Sequence, residues 1–157
     1  MQIKDTLPRA VALTIAAGLA TIVAISAPRR AAADNDGRGR GCSESTLRGD
    51  YAFAIDGQIL AGPKAGLLRG VAMTHFDGDG GLNQVDFTTI NGVPIGTDWR
   101  PGTGSYEINA DCTGKAQINF TDGSPALHLR LVVADRGDQV RTIVEGNATG
   151  SFGTRVR

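Results

Sequence analysis

From residue 49 onward the chain alternates apolar and polar side chains with period two, the pattern of strands that bury one face. Tyr51, Phe53 and Ile55 share one face, with Ala52 and Ala54 opposite. Leu67, Val71 and Met73 share a face with Arg69 and His75. Val85 and Phe87 alternate with Gln84, Asp86 and Thr88. Tyr106, Ile108, Ala110 and Cys112 alternate with Ser105, Glu107, Asn109 and Asp111. Ala116, Ile118 and Phe120 form a further face, as do Leu127, Leu129, Leu131 and Val133. Val140, Thr142 and Val144 form the next, and Ala148, Gly150, Phe152, Thr154 and Val156 the last. Turn chemistry separates these runs at Asp77-Gly78-Asp79-Gly80-Gly81, Asn91-Gly92, Thr113-Gly114, Asp122-Gly123, Arg136-Gly137-Asp138 and Gly146-Asn147. Pro94 and Pro101 bracket the one long irregular stretch, 92–102. No helical stripe of useful length is present. About eight short strands with glycine turns predict an all-β fold, a small antiparallel up-and-down barrel with a polar outer face. A two-sheet β-sandwich is the alternative.

The N-terminus follows a different pattern. Lys4 and Arg9 precede an uncharged run from Ala10 to Ala27, rich in Ala, Ile, Val and Leu. Ala31-x-Ala33 then offers the small-x-small pattern of a signal-peptidase site. This predicts a signal peptide over 1–33, with an uncleaved membrane anchor as the rival, since the run sits at the short end of a spanning helix. Residues 34–41 hold nothing apolar and read as a disordered leader. The single folded domain is expected over 42–157.

Composition narrows the classes. The chain of 157 residues carries 16 basic and 16 acidic side chains. Without 1–33, 124 residues remain with 12 basic and 15 acidic, a net charge of −3. Such a balance argues against nucleic acid and, after signal cleavage, against anionic membranes as partners. Export to the periplasm or medium gives the two cysteines, Cys42 and Cys112, a meaning: in an oxidising compartment one disulfide is expected.

Several motifs occur in a characteristic order. They are Cys42-x4-Leu47-x-Gly49-x-Tyr51-x-Phe53, Phe76-Asp77-Gly78-x-Gly80, Gly104-x-Tyr106 and Cys112-Thr113-Gly114. Together they resemble a group of small secreted bacterial β-barrel proteins of unassigned function. The resemblance implies export and a small barrel, and it carries no catalytic residues to transfer. The mature chain also resembles calycin barrels such as lipocalins, whose first strand carries Gly-x-Trp beneath a basic residue of the last strand. Gly49-Asp50-Tyr51 would place Tyr51 in the Trp position, with Arg155 as its partner. Barrels of the allene oxide cyclase and dirigent type are equally similar in shape.

Candidate chemistry is sparse. Arg69 and His75 share the face of Leu67, Val71 and Met73, and would be polar anchors in an apolar pocket if that face points inward. The bland reading sets them at a solvated rim. His128, beside Arg130, is expected outside. Trp99, in the long loop, would cap the barrel mouth, contact a ligand or plug one end of the core. Asp77 and Asp79 suggest a calcium loop, but Gly81 and Thr88 stand where an EF-hand needs an oxygen ligand and a Glu. A hairpin turn is the expected reading, with no metal and no cofactor.

Motifs for nucleotide binding, zinc proteolysis and serine hydrolysis are missing from the sequence. The leading expectation is a binding module for a small apolar ligand, with Tyr51, Arg69, His75, Trp99 and Tyr106 as candidate binding residues. Small residues Ala52, Ala54, Gly70, Ala72 and Gly150 would leave room if they face inward. The alternatives are a cyclase or isomerase acting on an apolar substrate, with Arg69, His75, Tyr51 and Tyr106 as first suspects, and a structural or surface-interaction protein with a filled barrel. The oligomeric state is not readable from the sequence.

Overall fold

The computed structural model describes residues 41–157. The expected signal peptide, and the expected leader except Gly41, lie outside the described residues. A 3-10 turn, Glu44–Thr46, leads into β1 (Gly49–Ile59), β2 (Gly66–Phe76), β3 (Gly81–Ile90), β4 (Val93–Pro94), β5 (Arg100–Ile108), β6 (Thr113–Phe120), β7 (Leu127–Ala134), β8 (Gln139–Val144) and β9 (Ala148–Arg155). Every pairing is antiparallel. Eight strands close on themselves through the β1–β9 and β3–β5 pairings, and β4 is a short outer addition to β3. Closure leaves the eight wall strands without a long free edge, and it decides against the sandwich. Among the described residues no helix is long and apolar enough to cross a membrane.

Register decides which side chains enter the barrel. Tyr51 pairs with Thr74 and Arg155, and Phe53 with Ala72 and Gly153, so these six share the inner face. The same rule carries Leu82, Gln84, Asp86 and Thr88 of β3 inward, since they face Phe76, Thr74, Ala72 and Gly70. On β5 to β8 the expected apolar faces are the inner ones. Tyr106, Ile108, Ile118, Phe120, Leu129, Leu131, Val133 and Val140 are all buried in one core.

On β2, β3 and β9 the expected polar outer face is reversed. Leu67, Val71 and Met73 point outward, as do Val85 and Phe152, and all five are exposed. Ala52, Ala54 and Gly150 also face out, and of the small residues expected to leave room only Gly70 and Ala72 face in. The physical reason is lumen width. An eight-stranded barrel has little more room than its own side chains fill. With Phe53 inside, its neighbours must be small: a Cβ on Gly153 would overlap the Phe53 ring. Ala72 takes the position across from Phe53 on β2. Beside Phe53, the bulky Val71, Met73 and Phe152 therefore lie on the opposite face, and the large inward side chains of β2, Leu68 and Phe76, sit toward the two ends of the strand.

One end of the barrel is plugged. Leu47 is fully buried after the 3-10 turn, and Cys42 and Cys112 form a disulfide that ties this segment to the β5–β6 turn. The Phe76 ring meets Tyr51 and Tyr106 edge to face, with centroids 5.2 and 4.9 Å apart. The opposite end gathers the β1–β2, β6–β7 and β8–β9 connections and residues 91–99, and it is the open one.

Candidate functional site

The mouth holds a cavity of about 390 Å³. Its apolar wall comes from Ile55, Ile59, Leu68, Ile95, Phe120, Leu127 and Val144. Thr88, Thr149, Asp86 and Arg100 add polar groups, and Lys64, His128 and Glu145 border the cavity as well. Deeper in the barrel a space of about 70 Å³ continues between Phe53, Ala72, Ile118, Leu129 and Val140. Ile55, Asp86, Leu127 and Val144 line both spaces and form the neck between them.

The polar groups at the neck form a chain along β3. Thr74 Oγ1 donates to Gln84 Oε1 at 3.0 Å, and Gln84 Nε2 donates to Asp86 Oδ2 at 3.5 Å. Arg100 Nε and Nη2 donate to the two Asp86 oxygens at 2.9 and 2.8 Å, a bidentate pair. The Asp86 side chain is 3% exposed and that of Arg100 20%. Arg100 also stacks on Phe120, its guanidinium carbon 3.6 Å from the ring centre, and its Nη1 lies 3.9 Å from Asp122 Oδ2. An ion pair inside a barrel is costly to desolvate unless geometry and further hydrogen bonds compensate. Here the fork geometry and the Gln84 contact provide that compensation.

The five candidate binding residues do not meet in this cavity. Arg69 and His75 lie on the outer wall. His75 Nδ1 is 2.8 Å from Asp50 Oδ1, and its side chain is 52% exposed. Arg69 borders a shallow outer groove with Ala54, Val71, Phe87, Arg141 and Phe152. Trp99 is half-exposed and packs against outward-facing Phe87 at 6.1 Å, so it neither plugs the core nor covers the mouth. His128 is exposed, as expected.

Tyr51 and Tyr106 point inward, but into the plug. The Tyr51 hydroxyl donates to the Gly137 carbonyl. Arg155 Nη2 donates to that same carbonyl at 3.3 Å and to the Thr46 carbonyl at 3.1 Å. The Arg155 guanidinium lies 5.2 Å from the centre of the Tyr51 ring, the contact expected between the first and last strands. Gly137 has φ +94°, and a Cβ there would overlap the Thr46 carbonyl, so glycine is needed for the plug to seat. The Tyr106 hydroxyl contacts the carbonyls of Glu44 and Leu47, each at 3.0 Å, and accepts from Gly78 N–H at 3.0 Å. A single hydroxyl thus joins the 3-10 turn to the β2–β3 turn. That turn is an Asp turn: Asp77 Oδ1 accepts from the Asp79 and Gly81 N–H groups at 2.7 and 2.9 Å. These bonds, that of Asp79 foremost, hold the Asp77 carboxyl below its ordinary range.

The plug can be read by titration. Burial pushes both tyrosine hydroxyls above their ordinary value of 10.0. Each therefore favours the fold fully below pH 10, and that contribution is lost as pH rises past 10 toward the raised folded value. Tyr51 and Tyr106 are the only tyrosines of the chain. Absorbance at 295 nm is expected to show tyrosine ionisation displaced above pH 10 in the folded protein, with the titration accompanied by unfolding. A free tyrosine titrating at 10 would show an open plug.

The sequence pattern left the Asp86–Arg100 pair unnoticed. Asp86 lies between Gln84 and Thr88 on a run whose apolar residues, Val85 and Phe87, alternate with them, so the pattern alone sets it on the solvated face. Comparison with protein-family models, with curated proteins and with solved structures returns no match for this chain. The fold and the site are thus described from its own residues: a closed antiparallel barrel, plugged at one end, with a partly polar cavity at the other.

Proposed function

We propose that this chain is a secreted binding module that holds a small, largely apolar ligand in the mouth of its barrel. The observation that carries this reading is the cavity of about 390 Å³, walled largely by apolar side chains and narrowing to a neck where Asp86 stands among Ile55, Leu127 and Val144. Its volume falls within the ordinary range of small-molecule sites, roughly 300–1,000 Å³. The disulfide fits an oxidising compartment, and together with the N-terminal signal pattern it supports export. The Arg155–Tyr51 contact supports a calycin-like arrangement of the first and last strands. Cyclase or isomerase chemistry through Arg69, His75, Tyr51 and Tyr106 is less well supported, because these four are divided between the outer wall and the plug.

The test is native mass spectrometry of the oxidised protein isolated from the cells that make it. A 1:1 adduct that leaves on denaturation is expected. Val144→Trp, which fills the neck, is expected to remove it. A bare mass, joined by no calorimetric binding of small alcohols or aromatic hydrocarbons, would overturn the reading and favour a protein that acts through its outer surface.

A further inference from the structure

We infer that the cavity selects an uncharged amphiphile: an apolar body in the mouth and a hydroxyl or carbonyl group reaching the Arg100 guanidinium. This rests on the binding reading above and names the ligand class. The guanidinium receives a ligand carboxylate only if its charge is free. It is not free. Asp86 already occupies Nε and Nη2 with both oxygens, and Asp122 stands 3.9 Å from Nη1. A ligand carboxylate there would be the third carboxylate around one cation, and Lys64 and Glu145, which also border the cavity, add one charge of each sign. The ligand carboxylate would also be held where low dielectric strengthens repulsion.

A neutral head group meets no such penalty. Arg100 has five N–H donors and Asp86 takes two, so the N–H groups of Nη1 remain for a ligand oxygen. A ligand hydroxyl can also donate to Asp86, which lines both spaces. Thr88 and Thr149 supply further hydroxyls on the same wall. The body then lies against Ile55, Ile59, Leu68, Phe120, Leu127 and Val144. At about 30 Å³ per heavy atom, the volume of a liquid water, the cavity takes on the order of ten heavy atoms. An eight-carbon chain with one oxygen fits that size.

Isothermal titration calorimetry on the oxidised full chain at pH 8 tests this with 1-octanol and octanoate, which share a chain and differ in charge. The alcohol is expected to bind at least tenfold more tightly. Equal or tighter binding of octanoate overturns the inference while leaving the barrel a ligand carrier. Binding of neither, nor of other apolar probes, overturns the carrier reading itself. A second comparison locates the selectivity. The variant Asp86→Asn frees the Arg100 charge while keeping a polar side chain of the same size, and in it octanoate is expected to gain at least tenfold relative to the alcohol. If the tenfold preference for the alcohol survives in folded Asp86→Asn, the pair is not its source and the inference fails.

Discussion

Opening the Cys42–Cys112 bridge lowers the stability of the barrel by about 4 kcal/mol, the largest single effect expected here. The two cysteines are 70 residues apart in sequence. In the chain-entropy account a cross-link of that span removes many conformations from the unfolded chain. The bridge also acts in the folded state, because it fastens the segment that fills one end. Cys42 N–H donates to the Ala110 carbonyl at 3.2 Å, and Leu47 follows as a fully buried plug. Urea unfolding of the Cys42→Ser/Cys112→Ser variant checks the size. With a slope of about 2 kcal/mol per molar urea, the midpoint is expected to fall by about 2 M. A shift below 0.5 M would mean that the buried tyrosine network holds the plug without the cross-link.

Asp86→Ala costs about 3 kcal/mol, because it leaves the Arg100 cation inside the neck without its counter-charge. The estimate sits at the low end of the range for broken buried pairs, since Arg100 is 20% exposed and Asp122 is close enough to share its charge. Replacing both members as Asp86→Leu/Arg100→Met is expected to return stability to within about 1 kcal/mol of the parent, because no buried charge is then unpaired. A double-mutant cycle in urea separates the pairwise contribution from the two single losses. Additive single costs would show that Arg100 turns out to solvent when Asp86 is removed. The pair would then be a surface contact rather than part of the cavity floor.

These two sites differ in how plainly the sequence announces them. The disulfide follows from residue count and the export pattern alone, with no geometry needed. The ion pair is hidden by the same alternation that reveals the strands. Gln84, Asp86 and Thr88 look like the solvated side of β3, and Val85 and Phe87 like its buried side. Their true direction is set by pairing with β2, whose own direction is set by Tyr51 and Phe53 across β1. A one-residue change of register reverses every side chain of a strand, so orientation is a property of the sheet and not of the segment.

The same logic separates the candidate residues. Tyr51 and Tyr106 lie on strands whose inner faces are apolar in sequence, and both are inside. Arg69 and His75 lie on the strand with the misleading face, and both are outside. Trp99 lies in an irregular stretch that carries no periodic signal at all.

By itself the sequence determined the all-β class, the eight wall strands, most of the turns and the cross-link, because period-two patterning, glycine turns and cysteine count are local or compositional properties; the expected Thr113-Gly114 turn instead opens β6. Only the tertiary structure decided that the sheet closes, which faces of β2, β3 and β9 turn inward, and that Asp86 and Arg100 meet at the neck of a cavity. Those outcomes depend on the width of an eight-stranded lumen and on register passed from strand to strand around the barrel.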